Sequence, residues 1–105
     1  MPGVSDVTQE CARVLEEHYG DQFKGLILYG STVRGEASHA SDIDLLVLLS
    51  GPFDHLRELR QIVELLYPVQ LESDRLISAK PAAAADFEQG TIQLYRNAKR
   101  EGVWL

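Results

Sequence analysis

A continuous apolar segment in the middle of the chain constrains the fold more than any other feature of the sequence. Residues 45–49 are all Leu or Val, and Ile43 precedes them with one acidic residue between. A run without polar alternation is typical of a strand that is covered on both faces. Ser50, Gly51 and Pro52 follow directly and are expected to end the strand. The sequence therefore predicts a central β-strand over Ile43–Leu49 in a sheet with both faces buried.

The remaining elements are predicted from periodicity, since apolar residues recur at helical spacing in some segments and alternate with polar residues in others. In chain order we expect a helix over residues 6–20, a strand over 26–29, a loop over 31–41, the central strand, a helix over 53–67 closed by Pro68, a third strand over 69–77 with one polar face, and helical residues 82–102 broken at Gly90. This order predicts a single α/β (α+β) domain over residues 1–105, with a small mixed β-sheet flanked by helices.

Charge excludes one class of partner. Ten Lys and Arg stand against 16 Asp and Glu, which gives a net charge of −6. Stable binding to nucleic acid needs a surplus of cations to neutralise phosphates, so none is expected. A nucleotide would have to bind at a local site, with metal ions supplying positive charge.

The expected compartment is the cytoplasm. Cys11 is the only cysteine, so no intramolecular disulfide can form, and residues 1–6 have neither the basic nor the apolar region of a signal peptide. A secreted protein without disulfides would show the same cysteine usage. The apolar run at residues 45–49 is far shorter than the roughly 20 residues that cross a bilayer. No membrane association is expected.

Two carboxylates stand at the entry of the central strand. Asp42 and Asp44 are two residues apart, so their side chains are expected on one face with Cα atoms about 6–7 Å apart. Like charges at this distance repel each other, and a divalent cation between them relieves the repulsion. Mg²⁺ prefers such oxygen ligands. The pair is therefore a candidate metal site anchored by a buried strand, although a lone Asp-x-Asp is more often a solvated strand entry.

A glycine turn follows the preceding strand. Gly30 permits backbone conformations barred to other residues and a close approach to a ligand. Ser31 offers a hydroxyl and an amide N–H to a phosphate oxygen, and the guanidinium of Arg34 can fork onto phosphate. Alone, this turn has an ordinary structural explanation. Together with Asp42 and Asp44 it describes a site for a metal-bound triphosphate.

The two segments also resemble a known signature. Residues 30–37 read Gly-Ser-Thr-Val-Arg-Gly-Glu-Ala, and residues 41–47 read Ser-Asp-Ile-Asp-Leu-Leu-Val. In this order and spacing they resemble the minimal nucleotidyltransferases of the DNA polymerase β-like superfamily. The resemblance implies a nucleotidyltransferase-like fold and the transfer of AMP from ATP to a hydroxyl group, with pyrophosphate released. It implies two Mg²⁺ ions held by Asp42 and Asp44, and a triphosphate contacted by Gly30, Ser31 and Arg34.

The resemblance also implies a third carboxylate on a later strand beside this pair. Glu72 and Asp74 both lie on the polar face of the predicted third strand. We expect Glu72 to be the third metal ligand and a catalytic carboxylate, with Asp74 as the alternative. Both can equally be solvated surface residues, in which case one metal position and the general base are lost.

Two functions remain open. The first is an active transferase whose acceptor is a protein, because minimal nucleotidyltransferases are often paired with a HEPN-domain protein in toxin–antitoxin modules, where the antitoxin adenylylates the toxin. The second is a catalytically impaired nucleotide- or partner-binding module that neutralises a HEPN-domain partner by covering it. The apolar tail, residues 103–105, is a candidate contact for such a partner. Either function is compatible with a homo- or hetero-oligomer.

Overall fold

The structure is a computed structural model that describes residues 3–30 and 42–105. Its elements in chain order are α1 (Val4–Tyr19), a 3₁₀ turn (Gly20–Gln22), β1 (Phe23–Tyr29), β2 (Ile43–Leu49), α2 (His55–Glu72), β3 (Ile77–Ala83), α3 (Ala84–Gln89), α4 (Gln93–Glu101) and β4 (Val103–Trp104). The central strand has the predicted bounds.

One four-stranded sheet with the order β3-β2-β1-β4 forms the framework. β2 pairs antiparallel with β1 and parallel with β3, and β4 pairs antiparallel with β1. The parallel pair needs a long crossover, which α2 supplies. The predicted small mixed sheet flanked by helices is therefore confirmed.

Both faces of β2 are buried, as predicted. Ile43, Leu45 and Val47 point to the face that α1 and α2 cover, where they meet residues such as Leu15 and Ile62. Leu46 and Leu48 point to the opposite face and pack with residues of α3 and α4, among them Phe87, Tyr95 and Ala98. The alternation of side chains along β2 thus divides the core into two layers. It also assigns Asp44 to the face of α3 and α4.

The predicted end of the second helix is wrong. Pro68 lies inside α2, which continues to Glu72, and residues 69–72 are helical rather than extended. A proline inside a helix costs about 3 kcal/mol. Val69 beyond it is buried in the core, which offsets about 1.5–3 kcal/mol of that cost. The side chain of Gln70 adds hydrogen bonds to Arg75 O and Ile77 N, at 2.9 and 2.7 Å. Packing and hydrogen bonds after Pro68 therefore offset the free-energy cost of the proline inside the helix.

The third strand lies further along the chain than the sequence predicts. β3 has the sequence Ile-Ser-Ala-Lys-Pro-Ala-Ala, in which Ala, Lys and Pro all have low strand propensity. It is nevertheless an edge strand, where Lys and Pro are tolerated because one side of the backbone makes no ladder bonds. Position in the sheet, which the local sequence does not encode, decides this element.

The end of the chain forms the second edge strand of the sheet. The predicted break at Gly90 is confirmed, with φ +67 in the left-handed region between α3 and α4. The apolar tail becomes β4, and the Trp104 ring covers Gly25, where a Cβ atom would lie 2.5 Å from the indole. Trp104 remains 57% exposed. In the described part of the chain, no helix is long and apolar enough to span a membrane.

Candidate active site

The candidate site lies where β1 ends and β2 begins. Tyr29, the last residue of β1, stands opposite Asp44 in the antiparallel ladder. Directly opposite residues share a face of the sheet, so the phenol and the carboxylate are neighbours. Asp44 is half-buried, and Asp42, one residue before the strand, is exposed. The rigid ladder therefore fixes Asp44, whereas Asp42 lies at the open end of the site.

Gly30 brings the two predicted halves of the site together. Its φ of +85 lies in the left-handed region that favours glycine. A Cβ atom at this position would collide with Oδ2 of Asp44. The backbone at Gly30 thus packs directly against the carboxylate that is predicted to hold metal. Only a glycine allows both the turn and this contact.

The charge of Asp44 also affects the pKa of Tyr29. Burial, and secondly the negative charge of Asp44, raise the pKa of the Tyr29 phenol to about 12. Tyr29 therefore stays protonated at neutral pH and keeps its hydroxyl as a hydrogen-bond donor. The phenol is consequently a neutral wall of the site rather than a base.

The other predicted phosphate contacts, Ser31 and Arg34, lie outside the described residues. Their contribution therefore remains a prediction from the sequence. The described part of the site consists of Gly30, Tyr29 and the two aspartates.

The structure does not bring Glu72 to the aspartate pair in the way that the sequence predicts. Glu72 is the last residue of α2 and is exposed, because the strand that was expected to carry it is helical. In the register of the parallel pair, Ser78 rather than an acid stands beside Asp44. Within residues 3–30 and 42–105, no three His, Cys, Asp or Glu residues are grouped closely enough to hold a metal ion.

Asp74 lies nearer to the sheet end at which Asp42 is found. Ile43 pairs with Ile77 in the parallel ladder, and Ile43 N–H donates to Leu76 O at 2.8 Å. The two strands therefore begin at the same edge, with Asp42 and Asp74 both in the segments that lead into them. Asp74 and Ile43 also line one surface depression. Ile43 and Val7 mark this depression as part of the α1 and α2 face, whereas Asp44 points to the opposite face of the sheet. Asp74 therefore shares an edge of the sheet with Asp42 but, among the described residues, is not grouped with the aspartate pair, and neither is Glu72.

The donor set fits magnesium bound together with a phosphate ligand. Carboxylate oxygens are hard ligands, and Mg²⁺ in proteins is commonly held by one or two carboxylates plus the phosphates of a substrate. Asp42 and Asp44 supply two such carboxylates at one strand entry. A third protein carboxylate is not a requirement of this mode of binding. The site can therefore hold a metal–triphosphate complex.

A small pocket adjoins Gly30 at the end of β1. Its volume is about 150 Å³, and it lies between the end of β1 and one face of α4. The described residues that line it are Tyr29, Gly30, Leu94, Asn97, Ala98 and Glu101. The α4 residues were not among the site residues predicted from sequence. Their spacing of three and four residues marks one helix face, but no local signal connects that face to Gly30.

Known proteins share sequence similarity with this chain. The sequence model of the nucleotidyltransferase domain family matches residues 9–97. A protein of Methanocaldococcus jannaschii, named as a proposed protein adenylyltransferase, is 33% identical over 76 residues, which cover 69% of this chain and 76% of that relative. The matched span includes the Gly30 turn, the Asp42–Asp44 pair and most of α4.

Proposed function

Because this chain belongs to the nucleotidyltransferase domain family, we propose that it transfers AMP from ATP to a hydroxyl group of a protein. The observation that carries the proposal is the packing of Gly30 against the Asp44 carboxylate. It joins a turn suited to phosphate with a carboxylate suited to magnesium. The expected ligand is therefore ATP with Mg²⁺, and two ions are expected when the nucleotide is bound.

The proposed reaction is a displacement at the α-phosphorus. The acceptor oxygen forms a bond to this phosphorus, the bond to the bridging oxygen of pyrophosphate breaks, and the acceptor proton passes to a base or to solvent. Magnesium, when bound, neutralises the charge that develops on the phosphate oxygens. Asp42 and Asp44 hold the metal-bound triphosphate, and the rigid β1–β2 ladder orients it. Gly30 and Ser31 contact the outer phosphates, with Arg34 as a supporting cation.

Neither Asp74 nor Glu72 is assigned as a third carboxylate in this proposal, because the described residues group neither of them with Asp42 and Asp44. We expect Asp74→Asn to retain the rate of AMP transfer, because Asp74 lines a depression with Ile43 and Val7 on the face of the sheet opposite Asp44. Glu72→Gln removes the same charge two residues earlier, on the exposed end of α2, and is expected to retain transfer. Steady-state rates of the two variants test the assignment. A loss of rate in Glu72→Gln alone would restore the residue first expected from the sequence.

A protein acceptor is supported by three observations. The chain carries a net charge of −6, which is unfavourable for a nucleic-acid acceptor. The Methanocaldococcus jannaschii relative is named as a proposed protein adenylyltransferase. Apolar residues of β4 remain exposed after they pair with β1, so the tail is still available to a partner. We propose a HEPN-domain protein as this partner, in a toxin–antitoxin pair within the cytoplasm.

A second candidate function is a binding module without catalysis. It is favoured by one observation, namely that the described residues contain no group of three potential metal ligands. In this alternative the protein binds nucleotide weakly and neutralises its partner by covering it. The two functions differ in whether a covalent product forms.

The deciding experiment uses ATP labelled either at the α- or at the γ-phosphate, with Mg²⁺ and a purified HEPN-domain protein as acceptor. The proposal predicts that label from the α-phosphate alone appears on the acceptor, together with one equivalent of pyrophosphate. Chelation of the metal should abolish the product. Label from the γ-phosphate would indicate a kinase-type reaction, and formation of a stable complex without any label would favour the binding module.

A further inference from the structure

The pocket between β1 and α4 is lined by both apolar and polar residues. Leu94, Ala98 and the Tyr29 ring give it apolar walls, and Asn97 and Glu101 add polar groups from one face of α4. Binding sites for small molecules commonly combine apolar walls with a few placed polar groups. At about 150 Å³ the pocket is too small for a whole nucleotide, since complete ligand sites occupy roughly 300–1,000 Å³. It suits one ring system.

Asn97 has an amide whose two ends differ. Its Oδ1 accepts hydrogen bonds from Gln93 Nε2 at 2.9 Å and from Arg100 Nη2 at 3.2 Å. Its Nδ2 donates to no acceptor within residues 3–30 and 42–105. Both neighbours donate, so the network favours the orientation in which Oδ1 faces Gln93 and Arg100. Asn97 lines the pocket, and Nδ2 is the end of its amide that the neighbouring side chains leave for a ligand.

Gly30 is a wall shared by the pocket and the aspartate site. One side of this residue packs on Oδ2 of Asp44, and the residue also lines the pocket. Tyr29 similarly stands opposite Asp44 and lines the pocket. A molecule whose phosphates lie at Gly30 and Asp44 can therefore extend directly into the pocket.

We propose that this pocket binds the base of the nucleoside triphosphate, with Asn97 Nδ2 donating a hydrogen bond to an acceptor atom on the edge of the base. The inference rests on the proposed function, since it requires phosphates at Gly30. Leu94 and Ala98 contact the ring. Asn97 is accordingly the residue that distinguishes a nucleotide from a bare polyphosphate.

The test compares two ligands by calorimetry in the presence of Mg²⁺. ATP fills both the phosphate site and the pocket, whereas inorganic tripolyphosphate fills the phosphate site alone. We expect Asn97→Ala to weaken ATP binding about fivefold, the loss typical of one neutral hydrogen bond, and to leave tripolyphosphate affinity unchanged. Asn97→Asp keeps Oδ1 for Gln93 and Arg100 but removes the donor, and it should weaken ATP binding at least as much.

Lys99→Ala is the matched control on the same helix. The Lys99 ammonium group donates to Glu88 O at 2.7 Å and so faces α3, away from the pocket. This variant should bind both ligands with wild-type affinity. Equal losses for ATP and tripolyphosphate in Asn97→Ala would indicate a general distortion and overturn the inference.

Two further outcomes also overturn it. Wild-type affinity for ATP in both Asn97 variants, with or without slower transfer, would assign the pocket to the acceptor or to no ligand. Failure of the wild-type protein to bind either ATP or tripolyphosphate would contradict the proposed function as well. If the wild-type protein binds ATP no more tightly than tripolyphosphate, the assignment of the pocket is contradicted and the proposed function is not.

Discussion

Replacement of Asp44 by Asn is expected to lower the rate of AMP transfer by about a thousandfold or more. The carboxylate is the better fixed of the two predicted metal ligands, because it lies in the β1–β2 ladder opposite Tyr29. Metal ions supply several kcal/mol of transition-state stabilisation in phosphoryl chemistry, and each 1.4 kcal/mol is about a factor of ten in rate. Steady-state transfer rates over a range of Mg²⁺ concentrations measure the effect.

The fold of the Asp44→Asn variant should survive. Asn has nearly the same shape as Asp, and residue 44 is only half-buried, so the melting temperature without metal should stay close to that of the wild type. Glu64→Gln is a control for the change in net charge, because Glu64 is exposed on α2. It should retain full activity. An Asp44→Asn protein that unfolds, or that transfers AMP at the wild-type rate, contradicts the assignment of Asp44 as a metal ligand.

Gly30→Ala is expected to have the second-largest effect. The backbone strain of a non-glycine residue at φ +85 costs about 1–3 kcal/mol of folding free energy. The new Cβ would also collide with Oδ2 of Asp44 and displace the carboxylate from its position. Misplacement of a catalytic group by about 1 Å can cost about a hundredfold in rate. We therefore expect a loss of stability and a loss of transfer activity together.

Gly51→Ala separates these two effects. Gly51 has φ +73, similar to Gly30, but a Cβ atom there would meet no atom within 4 Å. This variant should lose a similar amount of stability, measured by urea unfolding, and retain the wild-type rate of transfer under folding conditions. A Gly30→Ala protein that is no slower than Gly51→Ala would show that the contact with Asp44 has no role in the reaction.

The parts of the molecule that could be predicted from sequence are those with strong local signals. Ile43–Leu49 is apolar on both faces and must be a central strand, and its bounds are confirmed. Gly30 and Asp44 could also be predicted as site residues, since a glycine after one strand and an acidic residue at the entry of the next are both recognisable in the local sequence. Their direct contact adds a geometric reason for the glycine that sequence alone does not contain.

The errors arose where tertiary structure outweighs local preference. Pro68 predicts the end of a helix, yet α2 continues for four more residues because Val69 packs in the core and Gln70 bonds to the backbone around Ile77. β3 lacks strand-forming residues other than Ile77 and is held by pairing with β2. Because the third strand was predicted too early in the chain, Glu72 was expected on a strand, whereas it is the last residue of α2.

The pocket beside Gly30 could not have been predicted at all. It is formed by Tyr29 and Gly30 together with α4 residues more than 60 positions later in the chain. Asn97 is an ordinary polar residue in a helix, and only the fold connects it to the aspartate site.

The most direct test of a metal–triphosphate site at Gly30, Asp42 and Asp44 is paramagnetic line broadening. Protein labelled with ¹⁵N is titrated with Mn²⁺ in the presence of ATP, and the backbone amide signals are followed. We expect the signals of Gly30 and residues 42–44 to broaden first, while Gly51 beyond the far end of β2 stays sharp, and we expect Asp44→Asn to remove the effect. Broadening that begins at other acidic residues, such as Glu10 and Glu17 on α1, or that is unchanged in Asp44→Asn, would contradict the site.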